Sequence, residues 1–426
     1  MRLQSKDSIL LQATPFVPGR VQGVLRRGLQ GAAPDSIVII GQRDLVRIVA
    51  RPAGIIVVGG APFSHPMIRI MGLNIPTVLI EPEQDSRLQG GMRVEMDGFS
   101  GEIHAPNKRR MVDLPVAPHP PHPGVPVISA DGSAVQLRAS IGSVYSAAMA
   151  VSQGASAIGL VRSEYFFPEN DEKPDAAFYE NALTAICNAA SPLPVTVRLL
   201  DIAEDKRPPW LKNVPGMGGV LGLQGARLYG TEPVRSVLHA ELEALGRLTG
   251  FDLRLLIPYV VTLEELERWQ GEIRHLLPEN LAVGAMIETP AAAMAIKEWL
   301  SVVDFVAIGC NDLMQCFFAA NRDLPELRNL LDPYAPVLYR FLGEVAELAG
   351  ERIAKVQLCG LLSQLPHVLP VLLGLGYRIF SVEPVMIPYL AQLVARTDIH
   401  ACGVLARRVC ASTRPAEVRK LLSLAM

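Results

Sequence analysis

The 426-residue chain has no Cys-x-x-Cys pair. Its six cysteines (Cys187, Cys310, Cys316, Cys359, Cys402 and Cys410) are dispersed, which fits a reducing compartment better than a disulfide framework. Neither charge sign is in excess: 40 Lys and Arg face 42 Asp and Glu, for a net charge of -2. That balance gives no support for nucleic acid or an anionic membrane as a partner. No run of about 18 apolar residues is present to span a bilayer. The opening Met1-Arg2-Leu3-Gln4-Ser5-Lys6-Asp7 lacks the apolar stretch of a signal peptide. These absences lead to the expectation of a soluble cytoplasmic protein. Apolar residues, by contrast, are plentiful at 50% of the chain, enough for a sizeable core. The length suits two or three domains, or one large barrel with an addition.

Short apolar runs bounded by turn residues read as strands in the first hundred residues. They are Ser36-Ile37-Val38-Ile39-Ile40, Gly54-Ile55-Ile56-Val57-Val58 and Thr77-Val78-Leu79-Ile80, and Arg93-Val94-Glu95-Met96-Asp97 before Gly98 reads as a strand entering a hairpin. A small α/β unit is expected over residues 1–108. A linker over 109–128 follows, with Pro115, Pro118, Pro120, Pro121, Pro123 and Pro126 too dense for a helix. The third part, 129–426, alternates apolar runs with amphipathic stretches. The runs fall at 135–141, 157–162, 195–200, 253–258, 281–287, 304–309, 355–359 and 378–382. Eight strands with intervening helices are the pattern of a (β/α)8 TIM barrel. A long gap after the third run, holding Pro208, Pro209, Pro215 and several glycines, suggests an insertion or lid.

The ends of these runs carry the chemistry. Arg162 and Arg198 lie at or near the ends of two of them, Glu288 and Asn311 with Asp312 follow two more, and Cys359 closes the seventh. A parallel barrel gathers the C-terminal ends of its strands at one mouth. A guanidinium fork matches phosphate or carboxylate, so Arg162 and Arg198 together suggest a site for a small phosphorylated acid. Either arginine alone would be read as pairing with Glu164 or Asp201. Glu288 and Asp312 could hold magnesium, which takes one or two carboxylates with substrate oxygens and water. They could equally be solvated, or cap the helices that follow. Cys359 is either an inert core thiol or a proton donor to carbon. Lys206 lies just past the third strand and either adds charge to the anion site or is solvated.

A second centre lies in the first unit. Val58-Gly59-Gly60-Ala61-Pro62-Phe63-Ser64-His65 reads as a strand, a small-residue turn and a histidine. A short helix follows, with Pro66 in its first turn. An imidazole near a helix start can carry a phosphoryl group. A solvated loop histidine is the plainer reading. The remaining histidines show no ligand spacing.

Together these segments resemble the phosphoenolpyruvate-utilising enzymes, and the barrel is most similar to enzyme I of the sugar phosphotransferase system. The markers are Gly159-Leu160-Val161-Arg162-Ser163-Glu164, Val197-Arg198-Leu199-Leu200-Asp201, Ile287-Glu288-Thr289-Pro290, Ile308-Gly309-Cys310-Asn311-Asp312 and Leu358-Cys359-Gly360. The resemblance implies a swivelling phosphohistidine domain before the barrel. It implies that Arg162, Arg198, Asn311 and Arg322 bind phosphoenolpyruvate; Lys206 joins them as a candidate from its place past the third strand. Glu288 and Asp312 would hold Mg2+. His65 would take the phosphoryl group, and Cys359 would protonate the enolate to pyruvate. It also implies a homodimer through the barrel and an onward phosphoryl acceptor, a protein or a small molecule, that the sequence does not identify.

The chain departs from the family pattern at several points. Phe63 stands at a threonine position, Gln224 at an arginine position and Leu361 at a glutamate position. Only about twenty residues separate the opening strand near Ala13 from Ile37, so the helical domain that docks the phosphocarrier protein has no room. The leading expectation is a Mg2+-dependent phosphoenolpyruvate phosphotransferase. The alternative is a catalytically weak phosphoenolpyruvate-binding regulatory protein of the same architecture. A lyase or hydrolase acting on a related 2-oxo acid, with His65 dispensable, is a third.

Overall fold

The computed structural model describes residues 9–48, 51–105, 118–169, 171–212 and 214–424. The chain forms two compact units. The first comprises residues 1–119 together with Asn321–Leu331, and the second comprises Pro120–Ala320 and Asp332–Met426. This differs from the continuous 129–426 barrel unit expected from sequence, because an eleven-residue segment groups with the first unit. Residues 109–117 of the expected linker lie outside the described residues, and the last two residues of that span form a strand.

In the first unit, strands β1 (Ile9–Gln12), β2 (Thr14–Val17), β3 (Arg20–Arg27), β4 (Ser36–Gly41) and β5 (Gly54–Val58) precede helix α1 (His65–Leu73). Strands β6 (Thr77–Ile80), β7 (Arg93–Asp97) and β8 (Glu102–His104) follow it. They make one sheet of eight strands in the order β1-β8-β7-β3-β4-β5-β6-β2. Its centre, β3 to β6, is parallel, and the flanking pairs are antiparallel. Strands β4 and β5 are buried along nearly their whole length, and their unbroken Ile and Val runs match that two-sided burial. Leu25, Ile37, Ile39, Ile56, Val78 and Met96 form the core on one side. The expected hairpin after Asp97 is present: β7 and β8 pair antiparallel. Its turn is tied by Asp97 Oδ1, which accepts from the N–H groups of Phe99 (2.8 Å) and Ser100 (3.2 Å). Gly98 is required at this turn, since a Cβ there would lie 1.9 Å from Val17 O.

The second unit is a closed parallel barrel. After the short β9 (Val127–Ile128), its strands are β10 (Ala134–Ile141), β11 (Ile158–Arg162), β12 (Val195–Arg198) and β13 (Leu253–Val260). Strands β14 (Ala282–Ile287), β15 (Phe305–Gly309), β16 (Val356–Cys359) and β17 (Ile379–Val382) complete it, and β17 pairs back onto β10. All eight runs expected from sequence are strands of this ring. Helices α2 (Val144–Ser152), α3 (Ala176–Ala190), α4 (Val234–Arg247) and α5 (Leu263–Arg274) lie between the earlier strands. Then come α6 (Pro290–Met294), α7 (Ile296–Val302), α8 (Cys310–Phe318), α9 (Pro336–Ala349) and α10 (Val368–Gly374). The unit closes with α11 (Ile387–Ala395), α12 (Ile399–Ala411) and α13 (Pro415–Leu421). The expected insertion runs between β12 and α4, where the described residues hold only short 3-10 turns. Among the described residues, no helix is long and apolar enough to cross a membrane.

The barrel interior is filled, as such barrels are. Leu160, Leu256, Met286, Phe305 and Ala307 pack with Cys359. A polar layer lies among them. Arg138 Nη1 donates to Gln357 Oε1 at 3.1 Å, and Ser140 and Ser381 share a hydrogen bond of 2.8 Å. Gly159 leaves the space this layer needs, because a Cβ there would lie 2.6–2.9 Å from Ser381, Arg138 and Gln357.

Candidate active site at the barrel mouth

Strand pairing brings the expected residues together. Arg162 and Arg198 are register partners on β11 and β12, and Gly309 and Cys359 are partners on β15 and β16. In a parallel sheet, register partners face the same side, so two guanidinium groups share one sector of the rim.

Both arginines are already partnered by carboxylates. Arg162 Nη2 donates to Glu383 Oε1 at 3.0 Å. Arg198 Nη1 lies 2.7 Å from Asp201 Oδ2 and 4.0 Å from Glu288 Oε1. Its Nη2 donates to Glu164 Oε1, and Lys206 donates to Asp201 Oδ2. The pairing with Glu164 and Asp201 that the plainer reading of Arg198 anticipated is therefore real. Burial works against the charge on Arg198, yet Asp201, Glu164 and Glu288 outweigh it and raise its pKa. Arg162 behaves likewise, with Glu383 as the offsetting charge. These carboxylates fix both guanidinium groups in place. Arg198 Nε and Glu164 Oε2 are buried without a hydrogen-bond partner among the described residues, which leaves polar capacity at the rim.

Glu288 is almost fully buried at 1% exposure. Strand β13 bulges beside it, and Tyr259 takes up the left-handed region (φ 50°), a strained position for a bulky residue. That turn delivers Tyr259 N–H to Glu288 Oε2 at 3.0 Å. Burial, with Asp201 and Asp312 nearby, pushes the Glu288 carboxyl up to about 8. Asp312 sits half-buried in the first turn of α8. The expected helix starts are present at both places: Thr289 caps α6 by accepting from Ala292 N–H at 3.3 Å. Around this rim Arg162, Arg198 and Lys206 face Glu164, Asp201, Glu288, Asp312 and Glu383, a formal excess of two negative charges. A divalent cation would balance that excess, and crowded buried carboxylates are the donor type magnesium takes.

Asn311 accepts from Leu361 N–H at 3.0 Å through Oδ1, so its amide donors are what it would offer an oxyanion. Gly360, at φ 99°, lets this contact form, since a Cβ there would lie 2.7 Å from Asn311 Oδ1. Cys359 is buried and accepts from Gln357 Nε2 at 3.0 Å. Burial pushes its thiol up to about 11, so it carries its proton through the neutral range. Gln224 Nε2 donates to Val220 O at 2.8 Å.

Arg322 is not grouped with these residues. It belongs to the Asn321–Leu331 segment of the first unit, where Nη1 donates to Phe63 O at 3.2 Å and Nη2 lies 2.7 Å from His65 Nε2. His65 begins α1 as expected, with Ser64 at the cap position. Sequence reasoning missed Glu383, although it follows β17 just as Glu288 follows β14. It also missed Gln357 and Glu241, which carry no sequence signal: their roles come from burial against groups far along the chain.

A family model described as the phosphoenolpyruvate-binding domain of phosphoenolpyruvate-utilising enzymes matches residues 122–399. That stretch contains all eight strands of the barrel and every rim residue named above. The chain belongs to the phosphoenolpyruvate-utilising enzyme family. Among curated members of this family it is similar to a phosphoenolpyruvate-protein phosphotransferase of Haloferax volcanii, 30% identical over 92% of this chain and 72% of that protein. A phosphoenolpyruvate-protein phosphotransferase of Geobacillus stearothermophilus is 30% identical over 78% of this chain and 61% of its own length. Multiphosphoryl transfer protein 1 of Escherichia coli is 30% identical over 69% of this chain and 37% of its own length. The chain thus spans from about a third to nearly three quarters of these phosphoenolpyruvate-utilising relatives.

Proposed function

We propose that this chain is a Mg2+-dependent phosphotransferase that moves the phosphoryl group of phosphoenolpyruvate to His65 and on to a protein or small-molecule acceptor. The observation that carries this reading is Arg162 and Arg198 in register at one rim, beside a buried Glu288 whose carboxyl is pushed up to about 8. Cations arranged in advance around a transferring phosphoryl group supply most of the catalysis of such reactions. Arg162, Arg198 and Lys206 would hold the phosphate, and Asn311 would donate to phosphate or carboxylate oxygen. Arg322 would meet the phosphoryl group beside His65. Glu288 and Asp312 would hold Mg2+, which when bound would neutralise charge on the phosphate oxygens. The Cys359 thiol would give its proton to the methylene carbon of the enolate, releasing pyruvate. The swivelling of the first unit, homodimerisation through the barrel and a cytoplasmic location are parts of the same proposal.

The test is incubation of the chain with 32P-labelled phosphoenolpyruvate, with and without Mg2+, beside a His65→Ala variant. Acid-labile label on the wild type alone, dependent on Mg2+, supports the proposal. Turnover that survives loss of His65 would point instead to chemistry confined to the barrel.

A second reading is favoured by Gln224. It stands where the family pattern has an arginine, and its amide is engaged with Val220 O. A missing guanidinium removes charge stabilisation from the phosphoryl group. A protein that binds phosphoenolpyruvate for regulation, with little turnover, would show saturable binding and no label on His65.

A further inference from the structure

Gln357 and Cys359 stand two residues apart on β16, so their side chains share one face of the strand, the face toward the barrel interior. Gln357 is buried, and its amide is engaged at both ends. Oε1 accepts from Arg138 Nη1 at 3.1 Å. Nε2 donates to Gly159 O at 3.0 Å and to Cys359 Sγ at 3.0 Å. A guanidinium can only donate a hydrogen bond and a carbonyl oxygen can only accept one, so the amide has a single orientation. The sulfur is therefore the acceptor. Sulfur is a weak acceptor, and a glutamine placed only for packing would gain little by directing an N–H at it. The nearby buried thiol of Cys310 differs, since it donates to Ile308 O at 3.8 Å. Cys359 receives a hydrogen bond, and among the described residues nothing takes its own proton.

We propose that Gln357 is a positioning residue whose amide occupies a lone pair of Cys359 Sγ, turns the S–H toward the barrel mouth and holds the sulfur after its proton has gone. This rests on the reading that Cys359 is the acid that completes pyruvate. Gln357 precedes Cys359 on the strand, so its amide approaches the sulfur from the deep side and leaves the rim side to the proton. In the step itself, the carbon–carbon double bond of the enolate supplies the electron pair of the new C–H bond, and the enolate oxygen becomes the carbonyl. The S–H bond breaks with its pair left on sulfur. The thiolate meets the Gln357 N–H until it takes a proton from water as pyruvate leaves. A proton aimed from one side reaches one face of the enolate.

The amide is anchored by groups on two other strands. Arg138 on β10 is itself fixed, since its Nε and Nη2 donate to Gln136 Oε1 at 3.1 and 2.7 Å. Gly159 on β11 leaves room for the amide, because a Cβ there would lie 2.9 Å from Gln357 Oε1. Among the described residues, no carboxylate pairs with Arg138. Burial, with Arg254 nearby, pushes its pKa down to about 10, which leaves it charged at neutral pH. A cation on Oε1 polarises the amide and strengthens its N–H toward the sulfur. Burial favours the neutral thiol of Cys359, and Glu288 adds to that. The Gln357 hydrogen bond and the charges of Arg198 and Arg162 pull the other way and ease release of the proton.

The test uses the full chain and begins without substrate. The S–H stretching band of Cys359, isolated by infrared difference against Cys359→Ala, reports whether the thiol donates a hydrogen bond. The expected wild-type band is that of a thiol that donates none. Gln357→Met keeps a side chain of similar length without the amide, and it should shift the band. Phosphoenolpyruvate carrying tritium stereospecifically on carbon 3 is then turned over with Mg2+ in D2O. The methyl group of the product holds H, D and T, and its handedness reports the face that was protonated. The wild type should give one hand. Gln357→Met should lose most of that preference and form pyruvate at least about tenfold more slowly, while phosphoenolpyruvate affinity measured by calorimetry stays unchanged. A wild-type thiol that donates a hydrogen bond, or a Gln357→Met variant with unaltered band, rate and handedness, would overturn the proposal. A wild type that forms no pyruvate would refute the phosphotransfer reading, and the band of the substrate-free chain would still decide whether Gln357 sets the thiol.

Discussion

Gly309 lies against Glu288 across neighbouring strand ends: a Cβ on Gly309 would sit 2.8 Å from both Cγ and Oε1 of Glu288. The buried carboxylate therefore owes its place to a missing side chain on the next strand. Gly309→Ala should displace Glu288 at an overpacking cost of about 1–3 kcal/mol. The expected outcome is a folded protein by circular dichroism whose Mg2+ affinity, measured by calorimetry, falls at least about tenfold. Unchanged affinity would remove Glu288 from the proposed metal site.

Mg2+ binding should also depend on pH with a definite sign. Without metal, the Glu288 carboxyl is pushed up to about 8 by burial and by Asp201 and Asp312, so it is largely protonated at neutral pH. The metal binds the ionised form, so apparent affinity should rise with pH and level off above about 8. Binding should release a proton, detectable as a buffer-dependent heat. Glu288→Gln should abolish both effects.

Glu241 on α4 offers a separate pH test. It is fully buried, accepts from Leu200 N–H at 3.1 Å behind the β12 end, and is pushed up to about 8 by burial. A raised folded-state pKa stabilises the fold below the ordinary carboxylate value of 4.5, and that contribution is lost as pH rises through about 8. Glu241→Gln copies the neutral acid. It should flatten the decline in Tm between about pH 4.5 and 8 without lowering stability at acid pH. A variant with an unaltered pH profile would place this ionisation elsewhere.

Arg198 joins three carboxylates, so Arg198→Ala leaves buried charge unpaired and should cost about 3–5 kcal/mol as well as abolish labelling of His65. A double variant, Arg198→Met with Glu164→Gln, should recover much of the stability by chemical denaturation. It should still fail to label. Labelling by the double variant would refute the role of Arg198 on the phosphate.

Cys359 keeps its proton because burial pushes its thiol up to about 11. Cys359→Ala should retain phosphoenolpyruvate binding and lose about 100-fold or more in pyruvate formation, the scale of a lost general acid. Turnover equal to wild type would return Cys359 to the inert core reading.

The barrel was legible because its strands are buried on both faces and so read as unbroken apolar runs. Several runs also end in a polar or reactive residue that a parallel ring must bring to the rim, which made Arg162, Arg198, Glu288 and Cys359 visible. Glu383 gave the same signal and went unread. The polar layer of Arg138 and Gln357 was hidden, since nothing local marks a strand glutamine that serves a thiol two residues on and an arginine 219 residues away. Asp323 was hidden for a similar reason: its partner lies 258 residues earlier.

The chain's own order of residues determined which groups stand at strand ends, because strand period and turn chemistry are local properties. Tertiary structure alone decided which of those groups touch. It paired Arg162 with Glu383, turned Tyr259 N–H onto Glu288 and brought Asp323 to His65. Such pairings depend on barrel closure and on packing between distant segments, and the charge state of each group follows from them because it is set by what lies within a few ångströms in space.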